Sequence, residues 1–77
     1  MHRIPLAEEL TIRSASMAEK KCTGDEMFDG YLCSYSMTKL SDDRFFVNAF
    51  YRNALYRYII DRGEARLMLV KELKNAL

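Results

Sequence analysis

The sequence predicts a mainly α-helical fold, a small single domain of three to four helices built on one long central helix. Three observations predict it. Residues 41–62 run from a capping Ser41 to a Gly63 stop with neither Gly nor Pro between. Thr23 and Glu26 have the spacing of a capping box, and beyond them Phe28, Tyr31, Leu32 and Tyr35 fall at helical intervals. Ala65, Leu69, Leu73, Ala76 and Leu77 then share one helical face in residues 64–76, with Val70 beside it. The competing arrangement is α+β, with a short hairpin within residues 10–38.

The first expected helix starts at Pro5, whose missing N–H is harmless in a first turn. Glu8 and Glu9 suit the positive end of its dipole, and Glu9 can pair with Arg13 one turn on. Its apolar stripe of Leu6, Leu10 and Met17 is loose, and residues 10–17 hold enough Thr, Ser and Ile to suit a strand. The second helix has a rival too. Asp29-Gly30 is a turn signal, and Tyr31, Cys33, Tyr35 and Met37 alternate with Ser34, Ser36 and Thr38 in a period-2 pattern. The cap and the helical face are preferred over it.

The third helix is read by angle. At about 100° per residue, Val47, Tyr51, Ala54, Leu55 and Tyr58 gather on one side, and Phe45, Ala49, Tyr56 and Ile60 on the opposite one, with Phe46 at the edge. Asn48, Arg52, Asn53, Arg57 and Asp61 fill the flanks, together with Phe50 and Ile59. A helix apolar on two opposed sides needs cover on both. Either the other helices sandwich it, or a second chain covers one face. The candidate interface residues are Phe45, Arg52, Tyr56, Arg57 and Ile60. Five tyrosines and seven arginines suit a contact surface, since interface hot spots favour Tyr and Arg.

With 77 residues the chain allows one domain, whose core is marginal and invites self-association. At 49% hydrophobic and 30% charged it is too apolar for a disordered chain. Twelve basic against eleven acidic residues, net +1, lack the basic excess usual in a nucleic-acid binder. Residues 1–40 carry five basic and six acidic groups and residues 41–77 seven and five, so direct DNA contact is permitted without being indicated. Arg44, Arg52, Arg57, Arg62 and Arg66, with Lys71 and Lys74, do not form one helical stripe. Cys22 and Cys33 fit neither a redox pair nor a zinc framework and are expected as two reduced thiols, although in helix 2 they could approach each other. No secretory leader or membrane span is evident, so a cytoplasmic protein is expected.

No catalytic constellation is expected. His2 is the lone histidine, the three glycines form no phosphate-binding loop, and Glu8/Glu9, Asp25/Glu26 and Asp42/Asp43 read as first-turn acids. No cofactor, metal or small-molecule substrate is implied. Lys20-Lys21-Cys22-Thr23 ahead of helix 2, then Leu40-Ser41-Asp42 opening a long helix with Phe50-Tyr51, resembles the Hha/YmoA family at scattered positions. That resemblance implies a small helical regulator acting on transcription through another protein. The function expected is a small non-enzymatic regulator or adaptor working through protein–protein contact as a homodimer, the alternative being a transcription regulator that binds DNA directly.

Overall fold

The computed structural model describes residues 6–73 and overturns the helical expectation. One helix, α1 (Leu6–Ala15), is followed by five strands: β1 (Lys21–Phe28), β2 (Tyr31–Ser41), β3 (Arg44–Tyr51), β4 (Ala54–Asp61) and β5 (Glu64–Glu72). The strands form one antiparallel meander in chain order, each paired with the next. Only α1 matches its expected type, and the Pro5 start lies outside the described residues.

The turns explain why the chain folds back so often. Asp29-Gly30 joins β1 to β2, Arg52-Asn53 joins β3 to β4, and Arg62-Gly63 joins β4 to β5, all six residues having positive φ. Paired left-handed residues are the signature of the tight hairpin turn whose twist matches that of the strands it joins. Asp42-Asp43 makes the remaining link. Gly63 is therefore a turn residue and not a helix stop, and Ser41 ends a strand and caps nothing. Thr23 and Glu26, read as a capping box, both lie within β1.

The long central helix is in fact the β3–β4 hairpin. Phe45, Val47, Ala49 and Tyr51 pair with Ile60, Tyr58, Tyr56 and Ala54. These eight residues, with Leu55, are the two opposed groups seen by helical angle. A helix throws residues i and i+2 to opposite sides, whereas a strand keeps them on one. Apart from Leu55, which points to the other side, the two helical faces are one sheet face with period 2. Likewise Cys33, Tyr35 and Met37 are buried in alternation along β2, so the strand reading of 31–37 displaces helix 2. Residues 64–72 form β5, not a helix. The resemblance to the helical Hha/YmoA family thus carries no common fold.

The sheet has two unlike faces. Its inner face, formed by Cys33, Tyr35, Met37, Phe45, Val47, Ala49, Tyr51, Tyr58 and Ile60, joins Leu6, Leu10 and Met17 in one core. Leu6, Leu10 and Ser14 recur every four residues, so one side of α1 rests on the sheet. Buried Ser14 donates its hydroxyl to the Thr11 carbonyl at 2.8 Å, and no buried side-chain N or O among the described residues lacks a partner. Arg13 pairs with Glu26, tying the helix to β1. Each large side chain fully buried here stabilises the fold by ~1.5–3 kcal/mol.

Candidate functional site

No described element covers the outer face of the sheet. Cross-strand partners share a face, so the ladders define its rows directly. One row runs Asp25, Ser34, Phe50, Leu55 and Lys71, and the next Thr23, Ser36, Asn48, Arg57 and Leu69. A third runs Lys21, Thr38, Phe46, Ile59 and Arg66. The β1–β2 side is hydroxylic, while the β3–β5 side is apolar with basic groups set into it. Phe50 is 48% exposed, and Met27 and Leu32, which pair beside it, are 62% and 56% exposed.

Arg57 sits at the centre of that apolar half. Its Nε donates to Asn48 Oδ1 at 3.0 Å, and its guanidinium lies 5.4 Å from the centre of the Phe46 ring. The side chain is thereby held against the sheet, and its remaining N–H donors take no partner among the described residues. Pre-ordering of this kind lowers the entropy lost when a partner carboxylate or carbonyl is met.

The five candidate interface residues do not form one surface. Phe45 and Ile60 are core residues, 6% and 1% exposed. Tyr56 is half-buried on the same inner face, stacked on Tyr58 with ring centres 6.5 Å apart. Arg52 occupies the β3–β4 turn with its guanidinium 4.3 Å above the Tyr31 ring. Only Arg57 lies on the outer face. Helical projection splits the inner face of the hairpin into two groups and sets Phe50 and Ile59 on the flanks, whereas both belong to the open face. The alternation of Phe45, Val47, Ala49 and Tyr51, and of Ala54, Tyr56, Tyr58 and Ile60, is the signal for the hairpin, but apolar Phe46, Phe50, Leu55 and Ile59 at the outward positions blur it.

The arginines are spread too. Arg44 pairs with Asp61 at 3.4 Å and Arg62 with Asp43 at 3.6 Å near one end of the sheet, while Arg52 lies at the other. Among the described residues no three of His, Cys, Asp and Glu gather as metal ligands. Cys22 and Cys33 are both free. Cys22 pairs with Met37, four residues along β2 from Cys33, which is about 13 Å of strand and beyond disulfide reach. Burial, with Glu26 and Asp25 adding to it, pushes the Cys33 thiol up to about 11. Burial also raises the hydroxyls of Tyr35, Tyr51 and Tyr58 above the ordinary tyrosine value. No helix among the described residues is long and apolar enough to cross a membrane.

No protein-family model matches the chain, and neither does any curated protein or solved structure.

Proposed function

We propose that the chain is a small non-enzymatic adaptor or regulatory protein that works through protein–protein contact, using the outer face of its sheet. The observation that carries this reading is the apolar half of that face: Phe46, Phe50, Leu55, Ile59 and Leu69 on adjacent strands around the pre-ordered Arg57. An open antiparallel face that meets only water is ordinarily polar. Aromatic rings with a held arginine are instead the composition of interface centres. Arg57, Arg66 and Lys71 border the apolar residues, so the partner expected is a protein surface that sets carboxylates around an apolar patch.

The test compares the chain with its Phe50→Asp and Leu55→Asp variants as bait in extract of the source cell. Both sites are on the open face, so circular dichroism should keep its strand signal. A protein retained by the wild type and lost by both variants supports the reading. Retention of the same proteins by all three overturns it.

A further inference from the structure

The two edges of the sheet differ. The β4–β5 ladder shifts register between Arg57 and Tyr58, leaving a bulge in the β5 edge, a common device against edge-to-edge pairing. The β1–β2 ladder runs from Lys21–Thr38 to Phe28–Tyr31 without a shift, so the outer edge of β1, which no described strand pairs, is regular over eight residues. Its sequence has a charge pattern that inverts about Thr23. Lys20-Lys21 precede Cys22-Thr23-Gly24, and Asp25-Glu26 follow.

We infer that β1 is a homodimerisation edge, pairing antiparallel with β1 of a second copy about a two-fold axis at Thr23, so that two sheets become one of ten strands. In that register Thr23 meets the partner's Thr23, and Cys22 meets the partner's Gly24. Lys21 meets the partner's Asp25, and Lys20 the partner's Glu26. Each charged pair occurs twice by symmetry. The alternatives lose this match. An axis at Cys22 sets Lys21 against Thr23, one at Gly24 sets Lys21 against Met27, and axes at Lys21 or Asp25 oppose like charges. Registers between these would place the inner face of one copy beside the outer face of the other, exposing one core. Lys21 and Asp25 are both exposed and take no ion pair with another described residue, so they are available for the junction. Glu26 also holds Arg13 of its own chain, which leaves Lys21–Asp25 as the deciding pair.

This inference supplies the geometry for self-association and does not depend on a partner at the outer face. Its test is solution mass by light scattering and sedimentation over a range of concentrations. Wild type should sediment as a dimer that dissociates on dilution. Lys21→Asp and Asp25→Lys should each weaken it roughly tenfold or more, because each removes two opposite-charge pairs and creates two like-charge ones. The double variant Lys21→Asp/Asp25→Lys restores opposite charges at both pairs and should recover the dimer. As an independent measurement, Thr23→Cys in a Cys22→Ser background should form a disulfide-linked dimer on mild oxidation, since directly opposed strand residues lie within disulfide reach. A monomer at every concentration overturns the inference, as does a dimer indifferent to both single charge reversals. Loss of the dimer in Phe50→Asp alone would also overturn it, while leaving the outer face as the contact surface.

Discussion

Tyr35 lies over Gly24 across the β1–β2 ladder, its ring filling the space a side chain at position 24 would need. A Cβ built on Gly24 would fall 2.6 Å from the tyrosine Oη and 2.8 Å from its Cζ. Tyr35 is itself buried, so the ring cannot swing clear without opening the core. Gly24→Ala should destabilise the fold by ~1–3 kcal/mol, the usual cost of overpacking. Urea melts of the variant at concentrations below any self-association would show it, and Tyr35→Leu alongside Gly24→Ala should recover part of the loss by clearing the space.

Tyr51 anchors the opposite end of the same core. It is 2% exposed, and its hydroxyl donates to the Phe28 carbonyl at 2.9 Å, joining β3 to the end of β1. The Phe28 and Tyr31 rings meet it edge-on, each 6.3 Å away. Tyr51→Phe keeps every ring contact and removes one buried hydrogen bond. It should cost about 1–2 kcal/mol by denaturant melts, whereas Tyr51→Ala, which also removes the ring, should cost ~3–5 kcal/mol.

Some of this was legible in the residues. The acids and Arg13 of α1 read correctly as a helix, and Asp29-Gly30 is visible as a turn signal, although the capping spacing of Thr23 and Glu26 outweighs it in favour of a helix that the structure does not have. The alternation of Tyr31 to Met37 was visible as well. What hid the sheet was Arg52-Asn53, a hairpin turn without Gly or Pro, which let residues 41–62 pass as one uninterrupted element. Asn tolerates left-handed backbone, but a preceding Arg gives no warning of it. The open face was obscured for a related reason. Phe46, Phe50, Leu55 and Ile59 put apolar residues at positions that alternation would make polar, so the period-2 pattern of β3 and β4 is blurred where the candidate site lies.

The two arginine-led turns allow a comparison. Arg52 (φ 52°) and Arg62 (φ 53°) adopt the same left-handed backbone, which costs a non-glycine residue ~1–2 kcal/mol, less for Asn. Arg62 gains little in return: its contact with Asp43 is 3.6 Å long and exposed, a kind of pair worth at most ~1 kcal/mol. Arg52 stacks on Tyr31, a contact worth ~0.5–1 kcal/mol at an exposed site. Arg62→Asn should therefore stabilise the fold by ~0.5 kcal/mol, while Arg52→Asn should leave it nearly unchanged. In a Tyr31→Ala background Arg52→Asn should become stabilising, a difference that a double-mutant cycle of melts measures directly.

Cys33 gives the fold a pH dependence whose sign follows from its surroundings. The side chain has no exposed area, and burial pushes the thiol from 9.0 up to about 11. The folded state thus holds the proton more tightly than the unfolded one. Stability from this source is complete below pH 9 and falls as pH rises, because the unfolded thiol ionises first; above the folded value the loss levels off at roughly 2–3 kcal/mol. The raised hydroxyls of Tyr35, Tyr51 and Tyr58 act in the same direction at higher pH. Urea midpoints should therefore hold steady from neutral pH to about pH 8.5 and drop beyond it, and Cys33→Ala should flatten the first part of that drop even though it lowers stability at neutral pH. Thiol labelling reads the same burial from another side. Half-exposed Cys22 should react with a maleimide in the native protein, and Cys33 only once denaturant opens the core. Equal labelling of both thiols under native conditions would mean that the sheet opens at Cys33 far more often than its full burial in the core, across the ladder from Tyr51, implies.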